Sequence, residues 1–199
     1  MIGDVACTAS AMRRHLTDHS MCSSELSLSP TAETAVRPRT SARWLSRSDR
    51  RFIPLLAEFF ADNVSTCYIS HTELWSGRAR DFAHWVPGLR RVIAKELRET
   101  FRDRTKRILV ATRAGELVGM AVVVDLGRYA LLEDIVIKRE RRGRGVGRLL
   151  VRHIFAEMRE AGKASIFLES GGRNTAAHRF FAKQGFRQIS ISMCRRLAA

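Results

Sequence analysis

The sequence has few of the residues that cross-link small secreted proteins or bind metals. Its four cysteines, Cys7, Cys22, Cys67 and Cys194, show no C-x-x-C spacing and no histidine partners suited to zinc. Apolar runs of about eighteen residues are also missing, and the N-terminus lacks the apolar segment of a secretory signal. We therefore expect a cytoplasmic protein with free thiols, no metal site and no membrane partner.

Acidic residues are scarce relative to basic ones, 20 against 35, and 30 of the basic residues are arginine. A net charge of +15 can attract nucleic acid. However, the chain has no basic helix interleaved with aromatic residues and no nucleic-acid-binding motif. We interpret the charge as a solvated surface and do not expect a nucleic-acid partner.

The length of 199 residues is typical of one domain with a proper hydrophobic core. Residues 1–40 are rich in Ser, Thr and Ala, show no sustained periodicity and are net neutral. They are predicted to be a disordered N-terminal extension, and Met12 or Met21 could be the true start. The folded domain is predicted to span residues 41–199.

Hydrophobic patterning within that domain predicts strands alternating with helices. The strands are predicted at 42–45, 107–112, 117–124, 131–137 and 164–169, with one more after Phe186. The first helix is predicted to follow a cap at Ser46 or Ser48 and to carry an apolar face from Phe52 to Phe60. The other helices are predicted at 89–101, 145–161 and from Asn174 onward. This order is typical of an α/β (α+β) fold with a mixed central sheet flanked by helices. Residues 63–86 show no clear period.

The domain is organised around the segment that follows the apolar strand at 131–137. A charged turn comes first, then glycines at 143, 145 and 147, and then a helix. The first N–H groups of a helix lack intrahelical partners and carry a partial positive charge, and glycines let an anion approach the backbone. Three arginines add charge there: Arg142, Arg144 and Arg148. The pattern indicates a phosphate site, although glycine-rich turns also serve close packing.

Two motifs in this region resemble those of a known superfamily. Residues 142–147, Arg-Gly-Arg-Gly-Val-Gly, match the acyl-CoA signature R/Q-x-x-G-x-G/A of the GNAT superfamily of N-acetyltransferases. Residues 174–186 resemble its second signature, N-x-x-A-x-x-F-Y-x-K-x-G-F. The resemblance extends from about Ala42 to the C-terminus. It implies the GNAT acyl-CoA N-acyltransferase fold, with acetyl-CoA as co-substrate and no metal.

The resemblance also assigns residues to the binding of coenzyme A. Backbone groups of six residues would anchor the pyrophosphate: Arg142, Gly143, Arg144, Gly145, Val146 and Gly147. Backbone groups of Ile135, Val136 and Ile137 would hold the pantetheine arm where their strand splays from its neighbour, and would polarise the thioester carbonyl. Asn174 and Lys183 match positions that contact coenzyme A in relatives, and Phe181 would pack in the core or against pantetheine. Asn174 could equally cap its helix.

Two adjacent acids are candidates for the catalytic base that deprotonates the acceptor amine. Glu133 lies in an otherwise apolar strand, where a carboxylate is costly unless it is paired or used. Asp134 is the second candidate, and simple alternation along a strand predicts that it faces the opposite side of the sheet. A structural carboxylate bonded to backbone or arginine is the alternative for both.

The general acid is the point where the sequence departs from the superfamily. Phe181 stands where the second signature has tyrosine, and a phenyl ring cannot donate a proton. His178, Tyr129 and Cys194 are candidate substitutes, and unassisted departure of the thiolate is another route because a thiol pKa near 8.5 makes it a tolerable leaving group.

The sequence therefore predicts an acetyltransferase that moves an acetyl group from acetyl-CoA to a primary amine on a small molecule or a protein. The acceptor pocket would include four residues from the aperiodic region: His71, Glu73, Trp75 and Trp85. The strongly basic composition weighs mildly against a polycationic acceptor. One alternative is a catalytically weak CoA-binding sensor, and another is an arginine-rich RNA- or ribosome-associated protein on the same fold. A homodimer is left open.

Overall fold

The computed structural model describes residues 39–195 and Leu197. The predicted extension at 1–40 falls outside the described residues except at its last two positions, and its disorder stays a prediction.

The described part of the chain contains seven strands and five α-helices. In chain order the strands are β1 (Thr40–Trp44), β2 (Ala79–Asp81), β3 (His84–Trp85), β4 (Lys106–Arg113), β5 (Glu116–Leu126), β6 (Tyr129–Ile137) and β7 (Ser165–Leu168). The helices are α1 (Ile53–Asn63), α2 (His71–Trp75), α3 (Leu89–Arg102), α4 (Val146–Glu160) and α5 (Thr175–Lys183).

Five of these strands form the central sheet, in the order β1-β4-β5-β6-β7. Neighbouring strands are antiparallel except β6 and β7, which run parallel. A parallel pair needs a long crossover, and α4 supplies it by returning the chain to the start of the next strand. The predicted mixed central sheet flanked by helices is confirmed.

Helices cover both faces of the sheet. On one face α1 and α3 pack against β4, β5 and β6 through residues such as Leu56, Ile93 and Val110. On the other face α4 packs through Leu150 and Ile154. The central strands are therefore apolar on both sides, which is why β4 and β5 are nearly continuous apolar runs in the sequence.

Two regions differ from the sequence-based predictions. Residues 187–195 form no strand, although Ile189, Ile191 and Met193 alternate with polar residues and are exposed. Alternating apolar and polar residues suit a β-strand, but a strand forms only when its backbone pairs with the edge of a sheet. Residues 63–86, which show no period, fold as α2, β2 and β3, and these elements are too short for a period to be visible.

The connection from β1 into α1 is held by Asp49. Its carboxylate accepts hydrogen bonds from Arg43 Nη1 at 3.0 Å and from the backbone N–H of Ser46 at 2.9 Å. The chain then makes a 3₁₀ turn and enters α1. Pro54 lies in the first turn of α1, where a backbone N–H would have no partner within the helix, so the missing N–H of proline costs no hydrogen bond. The side chain of Asp49 thus fixes the entry into the first long helix.

We expect Asp49→Asn to lower the melting temperature at pH 7 and to do so less as the solution becomes acidic. Hydrogen bonds from Arg43 and Ser46 lower the pKa of Asp49 to about 2 from its usual value of 3.8. Because the folded-state pKa is the lower one, the stabilisation is present above pH ~4 and is lost as the pH falls toward ~2. Thermal melts of wild type and variant between pH 2 and 7 measure it.

Asp62→Asn is the control for this experiment, because Asp62 is an exposed acid on α1 that bonds an exposed Arg90. We expect it to change the melting temperature little at any pH. A pH-independent effect of Asp49→Asn would contradict the assignment.

Candidate functional site

One extra residue interrupts the pairing of β6 with β5. Val122 pairs with Asp134 and Val123 pairs with Leu132, so Glu133 has no partner opposite it. This is a β-bulge, a feature that bends a strand and strengthens its local twist.

The bulge resets the alternation of side chains along β6. Leu132 and Ile135, three positions apart, both pack on the α4 side of the sheet. Val136 packs on the α1 and α3 side, and Asp134 shares that side by alternation. Glu133 lies there too, because it bonds Lys106, which is two residues before Ile108 on the same face of β4. The prediction that Glu133 and Asp134 face opposite sides is wrong.

The parallel pairing of β6 with β7 ends where the bulge begins. Tyr129 to Leu132 pair with Ser165 to Leu168, and beyond that point no described strand lies beside residues 133–137 on this side. The strand therefore splays from its neighbour, as the superfamily resemblance implies. A cleft of about 950 Å³ opens along the unpaired edge.

Most of the predicted site residues line this cleft. The group comprises Glu133, Ile135, Val136, Ile137, Arg142, Gly143, Gly145, Gly147, Asn174, Phe181 and Lys183. Three others do not line it: Asp134, Arg144 and Val146. Val146 is instead buried against the sheet, as part of the core beneath α4.

The glycine bend leaves free space at the start of α4. Gly143 and Gly145 have φ of 71° and 84°, and a Cβ atom built on either would meet nothing within 4 Å. Gly147 has a different role, because a Cβ there would lie 3.1 Å from the ring of Phe180. The first intrahelical bond of α4 runs from Leu149 N–H to the carbonyl of Gly145, so the N–H groups of the first turn have no intrahelical partner and can bind an anion. The N–H groups of Arg142 and Arg144, in contrast, donate to the carbonyls of Arg139 and Arg141 at 3.3 Å.

Two arginines fix the bend to the C-terminal end of α1. The backbone N–H of Arg139 donates to Asn63 Oδ1 at 2.9 Å, and its guanidinium donates to the carbonyl of Val64 at 3.0 Å. The guanidinium of Arg142 donates to the carbonyl of Asn63 and, at 3.3 Å, to that of Ile137. Burial lowers the pKa of Arg142 somewhat, with the charge of Arg139 adding to the effect.

Helix α5 forms the wall of the cleft on the far side of the bend. The side chain of Asn174 caps it by accepting a hydrogen bond from the N–H of Ala177 at 3.4 Å. Phe181 is buried and packs edge-on against Phe180 and Phe186, with centroids 5.1 and 5.5 Å away. The position that carries tyrosine in the superfamily signature is therefore an apolar part of the core that also borders the cleft.

A buried charge network lies on the α1 and α3 side of β6, around Asp134. Arg78 donates to both carboxylate oxygens of Asp134, at 2.9 and 3.1 Å, and its Nε donates to Glu96 on α3 at 2.7 Å. The hydroxyl of Tyr68 donates to Asp134 Oδ1 at 2.7 Å. Arg78 also lies over the ring of Phe60, 5.3 Å from its centroid.

Burial and charge shift the pKa values in this network in opposite directions. Burial raises the pKa of Tyr68 well above 10, and the negative charge of Asp134 adds to the shift. Burial lowers the pKa of Arg78, but the carboxylate of Asp134 outweighs it and leaves the pKa above its usual value. Burial also raises the pKa of Glu96 despite its bond to Arg78. At neutral pH Arg78 is charged and Tyr68 is protonated.

Three carboxylates line the cleft near the bulge. Glu133 binds Lys106 Nζ at 2.7 and 2.9 Å, and both side chains are about a quarter exposed. Glu73 is buried and caps α2 by accepting the N–H and hydroxyl of Ser70. Glu169 accepts a hydrogen bond from Thr72 at 2.6 Å.

The other three residues predicted to form the acceptor pocket, His71, Trp75 and Trp85, lie outside the lining of the cleft. His71 lies 3.2 Å from Glu169, which does line it, and its ring packs against Trp75, which is 81% exposed. Trp85 packs beside Tyr68 on the α1 and α3 side of the sheet, and its buried indole N–H has no partner among the described residues.

None of the candidate substitutes for the missing general acid lines the cleft. His178 is exposed on α5, Cys194 is exposed near the C-terminus, and Tyr129 lies at the distant start of β6. The phenol that does line the cleft is Tyr68. Sequence reasoning missed it, together with Arg78 and Lys106, because it lies in the aperiodic region and nothing local marks it.

Comparison with known proteins identifies the family. The sequence model of the acetyltransferase (GNAT) family matches residues 65–186, and the chain belongs to that family. The predicted superfamily and fold are confirmed.

Curated relatives match over a shorter stretch. An IAA acetyltransferase from Azospirillum brasilense is 35% identical over 82 residues, which cover 40% of this chain and 54% of the relative. A streptothricin acetyltransferase from Streptomyces lavendulae is 34% identical over 87 residues, covering 42% and 46%. The chain thus spans about half the length of the curated relatives it matches.

A solved aminoglycoside N-acetyltransferase in complex with CoA has the same fold. Its TM-score is 0.57 at 15% identity, and the alignment covers 81% of this chain and 97% of that one. No helix in the described part of this chain is long and apolar enough to cross a membrane. Across residues 39–195, no group of three or more His, Cys, Asp or Glu side chains could hold a metal ion.

We expect Arg78→Met to lower the free energy of unfolding by about 3–5 kcal/mol, because it leaves the buried carboxylate of Asp134 without its partner. Lys106→Met is the matched control: it removes the partner of a partly exposed carboxylate and is expected to cost less than about 1 kcal/mol. Denaturant unfolding of both variants measures the difference. Equal losses would show that the Arg78 network does not carry the stability we assign to it.

Proposed function

We propose that this chain is an acetyl-CoA-dependent N-acetyltransferase that transfers an acetyl group to a primary amine, which attacks the thioester directly. One observation carries the proposal: an unpaired strand edge runs into a glycine bend at a helix N-terminus. A pantetheine arm needs backbone partners along its length, and a pyrophosphate needs N–H donors at its end. Both are present in one continuous cleft.

The fit of coenzyme A to these residues rests on space and charge. Open space above Gly143 and Gly145 lets phosphate oxygens approach the backbone N–H groups, and Arg148 and Lys183 add positive charge to the lining of the cleft. We assign the pyrophosphate to the backbone from Arg142 to Gly147, and within it chiefly to Gly143, Gly145, Val146 and Gly147, because the N–H groups of Arg142 and Arg144 already donate to Arg139 and Arg141. The family and the CoA complex of the structural neighbour support this assignment.

The acyl end of the cleft is assigned to β6. Backbone groups of Ile135, Val136 and Ile137 would hold the pantetheine arm and donate to the thioester oxygen, where negative charge develops during attack. Asn174, in addition to capping α5, and Phe181 would border the pantetheine arm from the α5 side. Acetyl-CoA supplies the activated acyl group, and the chain orients it.

Glu133 is our candidate for the base, ahead of Asp134. Its carboxylate lines the cleft and pairs with a partly exposed lysine, so it can accept a proton from the incoming ammonium directly or through water. Asp134 is 4% exposed and is held by Arg78 and Tyr68 in the buried charge network. We assign no general acid, because the thiolate of coenzyme A can leave unassisted.

For the acceptor we propose a small-molecule amine that is cationic at neutral pH. The chain as a whole carries +15, but Glu73, Glu133 and Glu169 line the cleft near the bulge. A locally acidic lining favours a cation there. A protein amine is the broader alternative. Cytoplasmic location, in keeping with the exposed thiols of Cys67 and Cys194, belongs to the same proposal; a homodimer stays a prediction.

A catalytically weak CoA-binding sensor is the second candidate, and the apolar packing of Phe181 favours it. Calorimetric titration of the full chain with acetyl-CoA, followed by free-thiol release with an amine panel, separates the two. The panel contains streptothricin, an aminoglycoside and peptides with a free N-terminal alanine or a lysine. Binding with amine-dependent release supports the enzyme, binding without release supports the sensor, and no binding contradicts both.

We expect Gly145→Glu to weaken acetyl-CoA binding by roughly 100-fold or more, because placing like charges together costs several kcal/mol. Gly162→Glu is the matched control: Gly162 follows the opposite end of α4, has φ of 67° and also has nothing within 4 Å of a Cβ. Both variants place a glutamate at a positive φ on open surface, so only the first should lose affinity in calorimetry. Equal affinity of the two variants would remove the proposed phosphate site.

We expect Glu133→Gln to lower turnover at pH 7 by roughly 100-fold, the smaller end of the usual effect of a general base, with acetyl-CoA affinity nearly unchanged. Glu157→Gln is the control, because it removes a carboxylate that also pairs with a basic residue, Arg107, away from the cleft. Steady-state thiol release measures both. Full turnover in Glu133→Gln would end its candidacy.

A further inference from the structure

Tyr68 is the one phenol that lines the cleft, and neither motif includes it. The chain has two tyrosines, and the other, Tyr129, lies at the start of β6. Tyr68 ends a short 3₁₀ turn between α1 and α2, with its ring packed edge-on against Phe60 at 5.9 Å. Its hydroxyl reaches the side chain of Asp134 on β6.

The hydrogen bond to Asp134 fixes the direction of the Tyr68 proton. Both oxygens of that carboxylate already accept hydrogen bonds from Arg78, and the hydroxyl of Tyr68 is the donor in its own bond to Oδ1. A phenol has one proton but also accepts hydrogen bonds. With its proton directed to Asp134, the oxygen of Tyr68 can only accept from a further partner.

The position of this oxygen is set by the strand it contacts. Asp134 lies between Glu133 and Ile135, which both line the cleft, on the segment that the bulge frees from β7. The Tyr68 oxygen, 2.7 Å from Asp134 Oδ1, is therefore held to the residue that separates the candidate base from the segment assigned to the thioester, and Tyr68 lines the same cleft as both.

We propose that Tyr68 receives the acceptor amine, by accepting a hydrogen bond from one N–H of the incoming ammonium group. Asp134 and Arg78 are positioning residues in this arrangement, because they act only by holding the Tyr68 proton away from the acceptor. A second N–H of the ammonium then faces Glu133, which takes the proton before attack. This role rests on the proposed acetyltransferase function. The oxygen of Tyr68 would select acceptors that carry an N–H donor.

The high pKa of Tyr68 agrees with a role that involves no titration of its own. Burial keeps the phenol protonated throughout the neutral range, so it neither removes nor supplies the reacting proton. The other charged groups packed around it, Arg78, Glu73 and Asp134, are part of the same buried network. The pH profile of kcat should therefore be the same with and without the hydroxyl.

Tyr68→Phe, compared with Tyr129→Phe, tests the proposal. The phenyl ring keeps the packing against Phe60 and removes only the oxygen. We expect KM for the amine to rise roughly ten- to a hundredfold, as for a lost hydrogen bond to a charged group, with kcat within about threefold and acetyl-CoA affinity unchanged. The acceptors are streptothricin and the panel amine that wild type acetylates fastest. Tyr129→Phe should match wild type.

A second variant separates substrate binding from structural support of Asp134. Tyr68→4-aminophenylalanine retains the ring and an N–H donor for Asp134, but its nitrogen lone pair is delocalised and accepts poorly. We expect the rise in KM to persist in this variant. Recovery of wild-type KM would mean that Tyr68 serves only to support Asp134, and would overturn the proposal.

Two further outcomes would also overturn it. An unchanged KM in Tyr68→Phe removes the contact. A fall in kcat at constant KM, restored by adding Phe181→Tyr, would make Tyr68 a proton donor to the thiolate instead. If wild type itself binds acetyl-CoA but releases no thiol with any amine, the proposed function fails and this inference fails with it. An active wild type with an unaffected Tyr68→Phe refutes this inference alone.

Discussion

The ion pair between Arg78 and Asp134 is a buried link between the segment that precedes α3 and the central sheet. Arg78 comes from a segment without hydrophobic periodicity, yet its guanidinium is fixed by Asp134 in the sheet, Glu96 on α3 and the ring of Phe60 on α1. A buried charge that loses its partner is far more costly than one that keeps it. The segment therefore has one favourable position, and Tyr68 and Glu73, which line the cleft, are carried into place with it.

The fold and half of the site could be predicted because they depend on local signals. Helical periodicity located α1, α3 and α4, and the glycines at 143 and 145 marked the bend because their positive φ is needed there. The network could not be predicted, because Arg78 and Asp134 are 56 residues apart and meet only through tertiary packing. Nor could the bulge, since one extra residue in β6 alters neither composition nor hydrophobic character.

Charge is arranged along the cleft in a way that the total of +15 conceals. At the bend, the negative end of α1 and the positive end of α4 come close together. Arg139 and Arg142 neutralise the first by binding the carbonyls of Asn63 and Val64, which leaves the N–H groups of the second available for an anion. Near the bulge the lining changes to carboxylates. The two ends of one cleft thus favour ligands of opposite charge.

The bulge at Glu133 also determines what a small genetic change would do to this chain. Losing the single codon for Glu133 would leave Val122 opposite Asp134 and Val123 opposite Leu132, with every other side chain on its present face. The ladder would become regular and the core would keep all its pairs. What would disappear is the bend that parts β6 from β7, so a deletion tolerated by the fold would remove the opening along which the cleft lies.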